Sequence, residues 1–429
     1  KEILRVFDDR EHKSQEILEV TDGVWFARGV GHSNAIFVEA DESLILIDTL
    51  DTLERGQKLR SAIEERCRKP VRTIIYTHGH PDHRGGAAAF EDTVSEIIAF
   101  SACKPQLAGM ERLSGIQGLR ARRQFGYGMS DEEAVSQGLG PREGMNYGEH
   151  KGTLDPTTVY DQELVVRTID GVELELRRLP GETDDQIAVW IPKAKVLCSG
   201  DNYYGCFPNL YAIRGGQYRD IASWIESLGQ LMDYPAEYLL PGHTGAISGQ
   251  EHIREVLGNY RAMMQYILDE TLRGMDAGKT ADELAEEIRL PRELSELPYL
   301  GEHYGCVEWT VREIYAAYMG WFDGDPAKLH PMPVRERSSR MIELMGGEAK
   351  VLEAAEAAMD RGEAQLALEL CSMAEQSLET DVLQAETFSQ SELRKALELK
   401  ARALRTLADM ETSANGRHYY IACAKEIEN

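Results

Sequence analysis

A run of side chains that can bind metal stands at residues 77–86, which read Thr-His-Gly-His-Pro-Asp-His-Arg-Gly-Gly. His78, His80, Asp82 and His83 fall within six positions, directly after the apolar segment 71–76, which is typical of a buried strand. Two imidazoles at i and i+2 can close on one metal ion, and the Asp/His pair that follows can hold a second ion beside it. Zinc favours this mixture of nitrogen and carboxylate ligands. The run therefore predicts a metal site.

Three more candidate ligands follow predicted strands further along the chain. Glu182 comes after a strand predicted at 172–179, Asp201 after one at 195–198, and His243 after a short one at 238–240. Each stands on a glycine-containing turn, from which a side chain can be aimed inward off a rigid sheet. A carboxylate such as Asp201 can bridge two cations about 3.5–4 Å apart. The sequence thus offers enough ligands for a two-metal site.

The elements that must position these residues alternate between strand and helix patterns, which predicts layered α/β structure. Strands are expected at 23–29, 35–39, 44–48, 71–76, 96–100, 164–169, 172–179, 187–191, 195–198 and 238–240, and helices at 52–66, 86–92 and 221–232. Residues 103–156 break this alternation. A long irregular insertion beside a metal loop is typical of a substrate-covering loop. Tyr127 and Tyr147 lie in it and are candidates to line the site.

The second half of the chain is almost wholly helical in pattern. Helices are predicted at 254–274, 280–288, 307–319, 351–361, 364–379, 390–410 and 418–426, with Thr280 as an N-cap. The segment 362–370 resembles part of a tetratricopeptide-type helix pair, although the array is too short and irregular for a repeat. A helical scaffold or an oligomer interface is favoured over a peptide-binding groove.

The amino-acid composition limits the classes of partner that this protein can bind. The 429 residues carry a net charge of −26, which argues against nucleic acid or an anionic membrane as the general partner. An anionic substrate would therefore need a locally basic pocket. No apolar run reaches the roughly 18–20 residues of a membrane span, so no transmembrane segment is expected. The seven scattered cysteines do not indicate a disulfide framework. The compartment stays open between the cytoplasm and, after processing, the periplasm or the exterior.

The segment 77–86, taken with Asp201 and the Pro-Gly-His turn at His243, resembles the metallo-β-lactamase superfamily. That resemblance implies an αββα sandwich with two metals at one edge. Four more segments, 209–220, 301–305, 318–327 and 413–420, are similar to motifs of the alkyl sulfatase branch of that superfamily. The resemblance implies a catalytic domain at 1–250 and a helical dimerisation domain at 251–429, hence a homodimer. The sterol-carrier-like C-terminal domain of many alkyl sulfatases is expected to be absent from this chain.

The resemblance also implies a role for each site residue. Two zinc ions per chain are expected, with iron or manganese as alternatives, and their ligands would be His78, His80 and Glu182 for one ion and Asp82, His83 and His243 for the other, with Asp201 bridging both. Asp82 and Asp201 are the residues expected to act in catalysis. Asn209 and Arg214 match positions that hold the sulfate group, and a guanidinium presents a fixed fork of donors to such an oxyanion. The branch usually has Glu where this chain has Asp201.

The main hypothesis is therefore a binuclear zinc hydrolase that cleaves alkyl sulfate esters to an alcohol and inorganic sulfate through a metal-bound hydroxide. A hydrolase of phosphodiesters, thioesters or lactones could use the same ligands. A di-iron redox protein is a further alternative, because Glu182 stands where the superfamily usually has His. A helical interaction module with a vestigial site is disfavoured, since every expected ligand position is filled. The competing interpretation of Arg214 is a surface salt bridge.

Overall fold

The structure is a computed structural model that describes residues 1–11, 15–378 and 390–429. Its strands are β1 (Glu16–Thr21), β2 (Val24–Arg28), β3 (Ala35–Glu39), β4 (Leu44–Ile47), β5 (Val71–Ile75), β6 (Glu96–Phe100), β7 (Thr158–Tyr160), β8 (Leu164–Ile169), β9 (Val172–Arg178), β10 (Ile187–Ile191), β11 (Val196–Gly200), β12 (Tyr238–Pro241) and β13 (Ile247–Ser248). The first helices are α1 (Glu2–Glu11), α2 (Leu53–Glu64), α3 (Pro81–Arg84), α4 (Ser114–Gln124), α5 (Asp131–Ala134) and α6 (Ile221–Met232). The later helices are α7 (Gln250–Asp276), α8 (Ala281–Glu287), α9 (Arg292–Ser295), α10 (Val307–Met319), α11 (Val334–Leu344), α12 (Glu348–Asp360), α13 (Ala364–Leu378), α14 (Gln390–Met410) and α15 (Ala414–Glu428).

The strands form two mixed sheets. Within the described residues, one sheet has the order β1 to β7, and the other has the order β13-β12-β11-β10-β9-β8. β4 to β7 run parallel in the first sheet, and β11 runs parallel to β12 in the second. Because the carboxyl ends of parallel neighbours meet at the same edge of a sheet, the loops after β4 and β5 lie together. So do the loops after β11 and β12.

The hydrophobic core consists of one layer between the two sheets and further layers between each sheet and its helices. Inward side chains of both sheets, such as Ile45, Ile75 and Val189, form one buried cluster between the sheets. The outer face of the first sheet packs on α2, and the outer face of the second packs on α6 and α7. Strands such as β4 and β10 are buried on both faces, which explains their continuous apolar sequences. The αββα sandwich expected from the resemblance is confirmed.

The second half is helical, as predicted. Thr280 caps α8 through a capping box with Glu283, and α12 to α15 pack pairwise in sequence order. The last residue of the helix predicted at 364–379 lies outside the described residues. The cluster that covers the second sheet also includes side chains of α7 and α10, such as Tyr260 and Val311. Hydrophobic packing therefore continues past residue 250, and the domain boundary placed there stays a prediction.

Several elements differ from the sequence expectations. The helix predicted at 86–92 is a 3-10 turn at Ala87–Phe90, and α1, β1 and α11 were not predicted at all. The insertion at 103–156 is less irregular than expected, because it contains α4. Two glycines inside α4 and its exposed Leu119 hide the amphipathic pattern that marks a packed helix. The cysteines are all free. In the part of the chain that the structure describes, no helix has the length and apolar character needed to cross a membrane.

Candidate metal centre

Side chains able to bind metal converge at one edge of the sandwich. They stand on loops that leave neighbouring strands: the β5–α3 loop and α3 itself, and the turns after β9, β11 and β12. The structure brings together all seven residues predicted as ligands, in overlapping groups whose ligand atoms lie within 4.8 Å of one another: His78, His80, Asp82, His83, Glu182, Asp201 and His243. Residues more than 160 positions apart thus meet because loops of both sheets lie at the same edge of the sandwich.

The first group surrounds a space between His78, His80, Glu182 and Asp201. His78 Nε2 lies 4.0 Å from Glu182 Oε2 and 3.7 Å from Asp201 Oδ2. His80 Nδ1 lies 3.2 Å from Glu182 Oε2. Tetrahedral ligands at about 2.0–2.1 Å from zinc are separated by about 3.4 Å. The spacing of these atoms therefore suits one ion.

The second group consists of Asp82, His83 and His243, and it shares Asp201 with the first. The Nε2 atoms of His83 and His243 both lie 3.4 Å from Asp82 Oδ2. His83 Nε2 is 3.4 Å from Asp201 Oδ1, and His243 Nε2 is 3.3 Å from Asp201 Oδ2. Asp201 thus faces both groups. A Cβ on the neighbouring Gly242 would lie 2.0 Å from Asp201 Oδ1, so glycine at that position makes room for the carboxylate.

The donor set fits two cations, as the buried atoms without partners show. His78 Nε2, His83 Nε2, His243 Nε2 and Asp201 Oδ1 are buried and have no hydrogen-bond partner. Leaving such groups unpaired costs about 1–3 kcal/mol each, and buried polar groups in proteins are normally satisfied. All four atoms are metal ligands of the kind that zinc accepts, and all four point into the two spaces described above. Cations there would satisfy them together.

The negative charges of the buried carboxylates also favour the binding of cations at this site. Burial by itself would raise the pKa values of the Asp82 and Asp201 carboxyls, yet the neighbouring histidines, above all His83, hold both pKa values well below the usual range. Burial would lower the pKa of His83, whereas Asp201 and Asp82 hold it well above its ordinary value. Without metal, protons on the imidazoles balance the buried carboxylates. Bound cations would displace those protons and take over the same balancing role.

Asp48 orients two of the imidazoles and was missed by the sequence reasoning. His83 Nδ1 donates to Asp48 Oδ2 at 2.8 Å, and Thr77 Oγ1 donates to the same oxygen at 2.8 Å. His78 Nδ1 in turn donates to Thr77 Oγ1 at 3.0 Å. These bonds place the protons on Nδ1 and leave both Nε2 lone pairs facing the metal spaces. The one sequence signal was a carboxylate at the end of the apolar strand β4.

We expect Asp48→Asn to weaken the binding of at least one metal ion by about 10–100-fold, the usual cost of losing such an orienting partner. Asn keeps the shape of Asp and tolerates the left-handed backbone at this position, where φ is 60°. Metal release can be followed by titration with a competing chelator. Asp170→Asn is the matched control, because Asp170 also has a positive φ, of 45°, but accepts from Ser43 on a turn. Equal affinities in the two variants would contradict the orienting role.

A cavity of about 500 Å³ opens beside the first group. Its lining includes His80, Glu182, Arg214 and Arg219. Among the described residues Arg214 has no ion-pair partner, so the structure does not form the surface salt bridge weighed from the sequence; its Nη1 donates to Gly215 O at 3.4 Å. Burial, and then the neighbouring Arg219, lower the pKa of Arg214. A largely buried guanidinium without a carboxylate is well placed to receive an anion.

Arg219 is a second arginine at this cavity, and it acts on a predicted ligand. Its Nη1 donates to Glu182 Oε1 at 2.5 Å and to Asn209 O at 2.5 Å. Asn209 N donates to Tyr204 Oη at 2.5 Å, and the buried Asn209 Oδ1 has no partner. Arg219 therefore ties the segment that carries Asn209 and Arg214 to Glu182. The sequence reasoning missed this role, although Arg219 stands in the same motif five positions after Arg214.

Tyr127 and Tyr147 are not brought to this cavity. Tyr127 Oη donates to the buried Glu143, and burial raises the pKa of Glu143 to about 7. Tyr147 is 55% exposed, and its Oη donates to Asp131 Oδ1 at 2.8 Å. Neither side chain is among those that line the cavity. Arg142 accounts for these positions, because its guanidinium donates to the main-chain oxygens of Gly126 and Met129 and so fixes the path of the backbone beside Tyr127.

Comparison with known proteins agrees with this architecture. Residues 28–243 match the family model described as the metallo-beta-lactamase superfamily, and residues 280–429 match the one described as alkyl sulfatase dimerisation. The αββα sandwich, with two ligand groups that share one carboxylate at its edge, is the architecture expected of the first of these two families. The chain belongs to the metallo-β-lactamase superfamily and, within it, to the alkyl sulfatase branch.

Relatives in that branch are similar along most of the chain. A linear primary-alkylsulfatase from Pseudomonas sp. (strain ATCC 19151) is 35% identical over 91% of this chain and 73% of its own length. An alkyl/aryl-sulfatase from Saccharomyces cerevisiae is 30% identical over 96% of this chain and 64% of its own length. The solved structure of a stereoselective inverting sec-alkylsulfatase from Pseudomonas sp. superposes with a TM-score of 0.84 at 26% identity, covering 100% of this chain and 70% of that one. The chain thus spans between about two thirds and three quarters of these relatives.

Proposed function

We propose that this chain hydrolyses organic sulfate esters, alkyl sulfates above all, at a two-zinc centre. The observation that carries the proposal is the arrangement of two ligand groups sharing Asp201, beside a cavity where the Arg214 guanidinium has no ion-pair partner among the described residues. The names of the relatives support a sulfate ester as the substrate.

The ligand groups divide between the two ions. His78, His80 and Glu182 would hold one ion, Asp82, His83 and His243 the other, and Asp201 would bridge them. Zinc suits these nitrogen and oxygen donors, and iron or manganese could occupy them as well. When bound, the pair would supply an activated water at neutral pH and a positive charge for the departing oxygen. Asp82 would contribute to catalysis by holding one ion in place, and Asp201 would do so by holding both.

Side chains of the protein, Arg214 and Asn209, would bind the sulfate group. Arg214 presents up to five donors in a fixed fork, and the amide of Asn209, whose buried Oδ1 has no partner, would add a donor and an acceptor. Arg219 cannot serve in the same way, because its Nη1 is engaged with Glu182 and Asn209. It instead holds Glu182 and the sulfate-binding segment in one geometry. This assignment would answer the charge problem, since the cavity of this strongly acidic chain is lined by Arg214, which has no ion-pair partner among the described residues.

The substrate class can be tested with one zinc-loaded protein and a set of esters that share an alkyl group. We expect release of inorganic sulfate from the sulfate ester. Hydrolysis of the matching phosphodiester, thioester or lactone without any release of sulfate would contradict the proposal and leave a hydrolase of another ester. A protein that contains iron and shows a visible absorbance band would point to a redox function instead.

We further propose a homodimer formed through residues 251–429. The matched dimerisation family and large exposed apolar side chains, including Trp321 at 75% and Leu344 at 82%, support it. Light scattering on purified protein should give twice the 48.1 kDa of one chain. Leu344→Glu should shift the mass toward the monomer, whereas Leu107→Glu, at an exposed leucine of the insertion, should not. A monomeric mass for the unmodified protein would refute the dimer.

A further inference from the structure

His32 faces the second ligand group, although neither the sequence motifs nor the resemblance assigned it a role. It lies in the loop between β2 and β3 and is 3% exposed. Its main chain is fixed on both sides, since His32 N donates to Asp51 Oδ1 at 3.0 Å and His32 O accepts from His243 Nδ1 at 2.9 Å. A Cβ on Gly140 would lie 2.0 Å from His32 O, so the loop is tightly enclosed. The imidazole is therefore held in one place.

The hydrogen bonds of the ring define which nitrogen is free. His32 Nδ1 lies 2.8 Å from Pro141 O. A carbonyl oxygen only accepts, so Nδ1 carries the proton and Nε2 keeps its lone pair. This is the same arrangement that Asp48 and Thr77 impose on His83 and His78. A carbonyl partner on the far nitrogen is the usual way in which a metal-binding histidine is oriented.

His32 lies close enough to two of the predicted ligands for the three side chains to hold one ion. His32, Asp82 and His243 each offer a ligand atom, and these atoms lie within 4.8 Å of one another. Two ligands on opposite sides of one ion at about 2.1 Å are about 4.2 Å apart. The three atoms are therefore close to the spread that a single ion allows. The ring of His32 lies 5.1 Å from that of His243, centroid to centroid.

We propose that His32 Nε2 is a further ligand of the metal ion held by Asp82, His83 and His243. This inference rests on the proposed two-metal centre and deepens it. With His32 the second ion would have five protein ligands, counting the shared Asp201, one more than the four of a closed tetrahedral site. The first ion remains the open one, because His80 and Glu182 line the cavity with Arg214 while the lining includes no residue of the second group.

The test uses protein loaded with two Co²⁺ per chain and labelled with ¹⁵N-histidine. Each imidazole bound to cobalt shows its other N–H as a strongly shifted proton resonance, and buried N–H groups exchange slowly with water. The Nδ1 protons of His78, His83 and His243 should give three such resonances, and His32 Nδ1, bonded to Pro141 O, should give a fourth. His80 should add none, because its side chain is 21% accessible and its N–H therefore exchanges with water. We expect His32→Gln to remove one resonance and to lower the affinity for one of the two cobalt ions by about tenfold or more.

His303→Gln is the matched control, because His303 is another largely buried histidine, packed against Phe7. It should leave the resonances and both affinities unchanged. Two bound cobalt ions with no resonance lost in His32→Gln would overturn the inference and leave the two-metal centre intact. Failure of the unmodified protein to bind two ions would instead overturn the centre itself. If His32→Gln does not fold, three buried resonances rather than four in the unmodified protein would overturn the inference.

Discussion

Asp201→Asn should lower sulfate release by about 10³-fold or more, equivalent to about 4 kcal/mol of lost transition-state stabilisation. Among the described residues, Asp201 is the carboxylate that faces both ligand groups, with oxygens 3.3–3.7 Å from His78, His83 and His243. Asn keeps the shape but removes the negative charge that balances two cations. The variant should therefore also retain fewer metal ions per chain after dialysis, as measured by elemental analysis.

The control for that variant is Asp161→Asn, which removes an exposed carboxylate from the β7–β8 turn. It should leave both metal content and rate unchanged. An Asp201→Asn protein that keeps two ions and most of its rate would show that Asp201 does not bridge the centre. Loss of folding can be excluded by comparing the far-ultraviolet circular dichroism of the two variants.

Arg214→Ala should reduce kcat/KM for an alkyl sulfate by about 10²–10³-fold, the range typical of losing one donor to an oxyanion. The guanidinium lies at the cavity beside His80 and Glu182 without a carboxylate partner, so its charge is available to the substrate. Metal content should stay unchanged, because Arg214 bonds none of the predicted ligands. Steady-state kinetics on metal-loaded protein would measure the change.

Two further variants separate charge from geometry at this position. Arg214→Lys keeps the positive charge but loses the planar fork, so its activity should fall between those of the Ala variant and the unmodified protein. Arg112→Ala removes an exposed arginine of the insertion, whose side chain is 86% accessible, and should have no effect. A rate for Arg214→Ala close to that of Arg112→Ala would rule out a role in sulfate binding.

Each of the seven residues predicted as metal ligands carries a local signal in the sequence. His78, His80, Asp82 and His83 are close in sequence, and the other three follow apolar strands on glycine turns. The structure brings all seven together because loops of both sheets meet at one edge of the sandwich. The alternation of strand and helix patterns predicted layered α/β structure, and the αββα sandwich was expected from the resemblance to the metallo-β-lactamase superfamily.

The residues that were missed depend on contacts between distant segments. Asp48, Arg219 and His32 act through hydrogen bonds to side chains or carbonyls that lie 35, 37 and 109 positions away. Nothing in the local pattern of charge or hydrophobicity encodes such partners. The two tyrosines of the insertion were proposed from their place in the sequence. Arg142 holds their segment so that Tyr147 faces solvent and Tyr127 bonds Glu143, and their part in the site stays a prediction.

The most direct test of the central proposal is the metal content of protein purified without added metal, measured together with sulfate release from a medium-chain alkyl sulfate. We expect about two zinc ions per chain, and release that stops when a chelator removes them and returns when zinc is restored. Two zinc ions with no release of sulfate from any alkyl sulfate would contradict the proposed function, although the metal centre would stand.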